Sequence, residues 1–298
     1  MVEHTTKQMA PLWVVTTYYN PAKYRRRYEN FLTFRRFLNA PLLVVELEKN
    51  GAFQLTPDDG DVVIQLTGED QIWQKERLLN VGISQLPKHV EFVAWIDCDI
   101  VFEKDDWASS ATRSFEAGAN AMQLFREISH LAPAWQPPRN AWRAPDAQDV
   151  ILTEISFCHW LEHEMFSSDR LLEQRYDVDE VDRSSLSGLP GVAPGGAWAA
   201  RRSILDKVGI YDAHVVGGGD QPLAYTAKGM ACELRTGMGP SERHQGKSNW
   251  LTEAHVAHFL KWAEKFDKMV ARKVSHLPNR IFHLWHGELE NRKYAQRH

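Results

Sequence analysis

The chain has 298 residues, 43% of them hydrophobic and 25% charged, with a formal net charge of −4 and a pI near 6.4. That length carries an ample core, and the charge balance supplies no general pull toward a polyanion, so nucleic acid is not favoured as a partner. Three widely spaced cysteines, Cys98, Cys158 and Cys232, exclude a disulfide framework and indicate reduced thiols.

The opening stretch MVEHTTKQMAPLWVV lacks the pattern of a signal peptide, and no apolar run approaches the roughly 20 residues of a membrane helix. The expectation is a soluble, cytoplasmic protein with no stable membrane insertion. Eleven tryptophans suit sugar stacking and an aromatic core equally well.

A first strand is expected over residues 11–15, with Thr16, Thr17 and Tyr19 in the loop leaving it. A helix follows, with Tyr24, Tyr28, Phe31, Leu32, Phe34 and Leu38 on one face. Strands are expected over residues 42–47 and 61–66, then a helix over residues 71–85 carrying Ile72, Leu79, Ile83 and Leu86 and ended by Pro87. This alternation predicts an α/β fold with a mainly parallel central sheet. Residues 125–145, rich in Pro, Trp and Arg, read as a long loop, residues 149–175 as helix, and residues 176–187 as an acidic loop. Two glycine clusters, Gly195-Gly196 and Gly217-Gly218-Gly219, flank a short helix expected over residues 201–208. A helix over residues 253–274 turns Val256, Phe259, Ala263, Phe266 and Val270 toward the core.

The stretch FVAWIDCDIVF places Asp97 and Asp99 at the end of a buried strand. A buried, unpaired carboxylate costs several kcal/mol, so a cation or Arg is expected nearby. Strand periodicity would aim both carboxylates at one spot with Cys98 facing away. Strand carboxyl ends are where open α/β sheets bind ligands. A solvated, salt-bridged strand end is the plain alternative.

The segment from Trp73 to Phe102 resembles the donor-site region of the β-1,4-galactosyltransferase-type glycosyltransferases, whose pattern runs F-N-R-A-K-L-L-N-V-G and then D-V-D. Leu78-Leu79-Asn80-Val81-Gly82 matches without change. Gly195-Gly196 is similar to the family's G-G, Val216-Gly217-Gly218-Gly219-Asp220 to its W-G-G-E-D, and His286 in RIFHLWHGELENR falls at its metal histidine. The resemblance covers residues 11–125 and 188–298 and leaves 126–187 unmatched.

It implies the GT-A (Rossmann-like nucleotide-diphospho-sugar transferase) fold in one domain over residues 1–298. Residues 11–125 would form the nucleotide-sugar-binding half, 126–187 an acceptor-side insertion and 188–298 the catalytic and metal-histidine half. The implied activity is a metal-dependent inverting glycosyltransferase of hexosyltransferase type using a nucleotide sugar, with a UDP-sugar favoured. By the same resemblance Asp99 and His286, with His283 three residues earlier, would hold Mn²⁺ or Mg²⁺. Asp97 would bond the ribose or a metal water, and Lys75 stands where the family has an Arg facing the diphosphate or uridine. Trp73, Thr16, Thr17, Tyr19, Gly195 and Gly196 complete the donor site, and Asp220 aligns with the catalytic base.

The sequence departs from the pattern at Val216, Gly219 and Gln221-Pro222, where the family has Trp, Glu and further acids. Galactose as donor sugar and N-acetylglucosamine as acceptor are therefore not implied. A sugar nucleotidyltransferase and a non-catalytic glycan-binding protein on the same scaffold are the rival readings. The first needs a glycine-rich phosphate loop after the first strand, which Thr16-Thr17-Tyr18-Tyr19-Asn20 is not. The acceptor class stays open among a lipid-linked glycan, a protein side chain and a modified nucleobase. Its choice is expected to lie with Trp135, Arg139, Trp142 and Arg143. The pairs His159/His163, with Cys158 and Glu162, and His255/His258 have zinc-compatible spacing but lack an H-E-x-x-H motif and are read as structural.

Overall fold

Alternate residues of the central strands are buried on opposite faces, so helices must cover both sides of the sheet. The computed structural model describes residues 9–68, 74–138, 142–164, 191–214, 219–231 and 252–287. Among these, seven strands form one sheet in the order β11-β6-β10-β4-β1-β2-β3. They are β1 (Leu12–Tyr19), β2 (Leu42–Glu48), β3 (Val62–Thr67), β4 (Phe92–Ile96), β6 (Ala121–Gln123), β10 (Ala197–Arg201) and β11 (Val274–His276). Four of the six pairings described in this sheet are parallel, and β10 runs antiparallel to both of its neighbours. The fold is thus α/β with a mainly parallel central sheet.

On one face Trp13, Val15, Leu43, Val45, Val93, Trp95 and Trp198 pack under α2 (Lys75–Ser84) and α7 (Glu253–Val270). On the other, Val14, Val44, Ala94 and Ile96 meet α1 (Arg25–Phe37) through Phe31 and Phe34, and α3 (Trp107–Glu116) through Trp107 and Phe115. A second sheet, ordered β5-β12-β7-β8-β9, joins β5 (Ile100–Phe102), β12 (Arg280–His283), β7 (Glu127–Leu131), β8 (Val150–Ser156) and β9 (Val192–Ala193). It draws strands from before, within and after the 126–187 segment.

Several expectations change. β1 runs four residues beyond its expected end, so Thr16, Thr17 and Tyr19 are strand residues, and Thr16 and Thr17 are buried. The loop expected over 125–145 contains β7. The start of the helix expected over 149–175 is instead β8, followed by α4 (Phe157–Glu164). Val150, Ile151, Thr153 and Ile155 are β-branched, and pairing with β7 gives them a ladder that outweighs a helical reading. Residues 165–190 lie outside the described residues. The last helix stops at Val270, because Ala271 and Arg272 take left-handed φ of 52° and 57° and turn the chain into β11. All five of its expected core residues are buried.

Candidate active site

β4 ends at Ile96, and Asp97, Cys98 and Asp99 form a turn closed by the Ile100 amide donating to the Asp97 carbonyl at 3.1 Å. The two carboxylates therefore leave the turn toward different partners. This replaces the expectation that both aim at one spot.

Asp99 faces the end of β12. Antiparallel pairing sets His283 opposite Ile100, and the Leu284 amide donates to the Asp99 carbonyl at 2.8 Å. This register carries two imidazoles to the carboxylate, with His286 Nε2 3.4 Å from Asp99 Oδ2 and His283 Nε2 3.8 Å from Asp99 Oδ1. Asp99, His283 and His286 each bring one ligand atom to within 4.8 Å of the other two. The separations exceed the about 2.7–3.2 Å of a well-formed hydrogen bond and suit atoms that share one cation. One carboxylate and two neutral imidazoles fit a divalent metal of the Mn²⁺ kind better than Ca²⁺, which prefers an all-oxygen set. The His130 ring lies 4.9 Å from that of His283 and is held in turn by Glu154 at 2.9 Å. His283 is a strand residue and His286 follows the strand, so the two meet through a bend after β12 rather than on a helical face.

Asp97 turns the other way. Lys75, the first residue of α2, places Nζ 2.7 Å from Asp97 Oδ1 and 3.3 Å from each oxygen of Asp220, the first residue of α6 (Asp220–Ala227). Burial alone would lower the Lys75 pKa, but the charges of Asp220, Asp97 and Glu76 outweigh it and hold the ammonium well above the ordinary lysine value. Withdrawal from water, with Asp220 and Asp99 adding to it, pushes Asp97 up to about 6 against the pull of Lys75. Glu76 is 5% exposed, and burial pushes it up to about 7.

Glycines set the close approaches. A Cβ on Gly195 would stand 2.6 Å from Asp220 Oδ2, and one on Gly219 would run into the Glu76 carboxyl. The Gly196 carbonyl accepts from the Asp97 amide at 2.9 Å, and Gly196 has φ of +93°. Further along α2, a Cβ on Gly82 would stand 2.6 Å from Val15 Cγ1 and 2.9 Å from Leu43 Cδ2. Asn80 donates to the Ile210 carbonyl at 2.7 Å and accepts from the Ile210 amide at 2.9 Å. The LLNVG stretch thus docks α2 on β1 and β2 and ties it to the chain after α5 (Arg202–Val208).

The structure therefore brings Lys75, Asp97, Asp220, Gly195 and Gly196 into one cluster and Asp99, His283 and His286 into another, joined through a three-residue turn. Thr16 Oγ1 donates to the Ile96 carbonyl at 2.6 Å and pins the strand end instead of facing the cleft. Thr17 and Tyr19 stand at the adjacent end of β1. Trp73, Val216, Gly217 and Gly218 lie outside the described residues. Trp142 packs against Phe37 and Phe282, with ring centroids 5.3 and 5.6 Å away, and Trp135 packs edge-on against Trp142. Arg143 pairs with Asp146 at 3.2 Å, and Arg139 lies outside the described residues. Glu76 was not anticipated. Its place directly after Lys75 was visible, but its burial depends on Gly219, far along the chain.

No family model matches the chain, and no curated protein does. Among solved structures it is similar to S. aureus TarS 1-349 in complex with UDP-GlcNAc, at 14% identity and a TM-score of 0.45 over 95% of this chain and 61% of that one. It is also similar to a Drosophila β-1,4-galactosyltransferase 7 mutant in complex with manganese, UDP-Gal and xylobiose, at 11% identity and 0.34 over 72% and 59%. A mannosyltransferase from Pyrobaculum calidifontis in complex with GDP-Man and Mn²⁺ matches at 14% and 0.36 over 74% and 52%. The chain thus spans about three-fifths or less of these three proteins' lengths. At these identities and scores they assign neither a substrate nor a residue role to it.

Proposed function

We propose that the protein is a metal-dependent, inverting glycosyltransferase of the GT-A type that moves a sugar from a nucleotide sugar, with UDP-sugars favoured, to a hydroxyl acceptor. The observation that carries this reading is the meeting, at the end of β4, of a carboxylate–imidazole cluster with a separate carboxylate beside a glycine-lined approach. Asp99, His286 and His283 would hold the cation. Once bound, a divalent cation supplies counter-charge to the diphosphate as the bond to the sugar breaks.

The chain's own groups do the rest. Asp97 would face the ribose side of the cleft, with Thr17 and Tyr19 toward the nucleoside and Gly195 and Gly196 allowing the backbone close to the donor. Asp220 accepts the proton of the acceptor hydroxyl as that oxygen bonds to the anomeric carbon and the bond to the diphosphate oxygen breaks, inverting the centre. A sugar nucleotidyltransferase is disfavoured because β1 runs on through Tyr19 where a phosphate loop would begin. The 126–187 segment, with Trp135, Arg139, Trp142 and Arg143, would supply the acceptor side.

Turnover tests the proposal. The purified protein should release nucleoside diphosphate from one member of a nucleotide-sugar panel only with Mn²⁺ or Mg²⁺, and Asp220→Asn should slow release by about 10²–10⁴-fold. Consumption of no nucleotide sugar with either metal, or an unchanged rate in Asp220→Asn, would contradict it.

A further inference from the structure

Lys75 stands at the family's diphosphate-facing Arg, yet its ammonium is engaged elsewhere. It lies 2.7 Å from Asp97 Oδ1 and 3.3 Å from both oxygens of Asp220, with its side chain 14% exposed. The Asp220 carboxylate also lies close to Gly195, where a single added carbon would stand 2.6 Å from Oδ2. Beneath the residue before Asp220, the Glu76 carboxyl fills the space where a Gly219 side chain would go. The carboxylate thus has an ammonium and a bare Cα as close neighbours.

We infer that Lys75 is the positioning residue of the transfer step: anchored by Asp97 at the end of β4, it holds the Asp220 carboxylate against Gly195 in the orientation from which proton acceptance occurs. This deepens the proposed function and rests on it. The arrangement has a physical basis. A carboxylate at the first turn of a helix has several rotamers, and a buried ammonium bonded to both of its oxygens selects one. Misplacing a reacting group by about 1 Å can cost about 10²-fold in rate, so the selection matters to the chemical step more than to binding. An ammonium bonded to two carboxylates is also a poor primary contact for a diphosphate. Leaving Asp97 and Asp220 would uncover two neighbouring negative charges, which disfavours the exchange.

The test separates rate from affinity, using nucleoside diphosphate release for the rate and calorimetric titration with nucleoside diphosphate and Mn²⁺ for the affinity. Lys75→Met should lower kcat by about 100-fold while leaving KM and the diphosphate Kd within about 3-fold, with Lys75→Arg recovering part of the rate. Gly195→Ala crowds the same carboxylate and should give a comparable loss of kcat, so the inference stays falsifiable if Lys75→Met fails to fold. A diphosphate Kd weakened by about 10-fold or more in Lys75→Met with kcat retained would make Lys75 a donor contact and overturn the inference alone. Unchanged kcat in both variants would overturn it too. A wild-type protein that neither binds nor turns over any nucleotide would instead remove the proposed function, and this inference with it.

Discussion

Asp97 and Asp99 stand two residues apart and serve different neighbours: Lys75 compensates the first, and two imidazoles surround the second. The difference follows from the turn after Ile96, which breaks the strand's alternation just where the charges begin. At this scale the account predicts that Asp99→Ala removes metal-dependent diphosphate binding, because the one carboxylate of the cluster supplies its negative charge and the two histidines are neutral ligands. The meeting of Asp99 with His283 and His286 was legible because a carboxylate at a buried strand end calls for a positive partner, and the resemblance pointed to the histidines. The link between Lys75 and Asp220 was not legible. Their hydrogen bond spans 145 residues, and no local pattern encodes a contact of that separation.

α2 shows how one element positions the Lys75–Asp97–Asp220 cluster. It begins with Lys75 and Glu76 in the cleft and continues into LLNVG, where Gly82 admits the close approach to Val15 and Leu43 and Asn80 fastens the Ile210 backbone. Gly82→Ala should therefore destabilise the protein by about 1–3 kcal/mol in a denaturant titration, because the added methyl enters packed side chains on β1 and β2. An unchanged midpoint would mean that α2 shifts freely on the sheet. The helix itself was readable from its apolar spacing and Pro87. β8 was not, since its alternation is weak and its partner β7 lay in a stretch without a pattern of its own. β-branched residues were the available signal there, and they were outweighed by the apparent continuity with α4.

Across the whole molecule, the mainly parallel sheet was legible from strand–helix alternation, whereas the second sheet was not, because its five strands come from five separated parts of the chain. Away from the cleft, α4, β11 and the end of α6 are joined by a polar chain. His159 Nδ1 meets His276 Nε2 at 3.1 Å, His276 Nδ1 lies 2.9 Å from Glu162 Oε2, and Lys228 lies 3.2 Å from Glu162 Oε1. Burial lowers both histidines, with His163 adding to the effect on each, Arg126 adding to it on His159, and Glu162 opposing it on both. The unfolded chain then binds more protons than the folded one just below the ordinary imidazole value, so these two groups cost stability as pH falls through that range. Glu76 and Asp97 carry raised values and act with the opposite sign, so the comparison belongs between variants. Between about pH 7 and about pH 5, Tm should fall less steeply in the His159→Gln, His276→Gln double variant than in the wild type, and equal slopes would contradict this. The central claim, that the end of β4 is a metal-dependent nucleotide-diphosphate site, is tested most directly by calorimetric titration of the wild type and Asp99→Ala with a panel of nucleoside diphosphates, with and without Mn²⁺. The account predicts binding of one nucleotide that requires the metal and is lost in Asp99→Ala; no metal-dependent binding by the wild type, or binding retained in the variant, would contradict it.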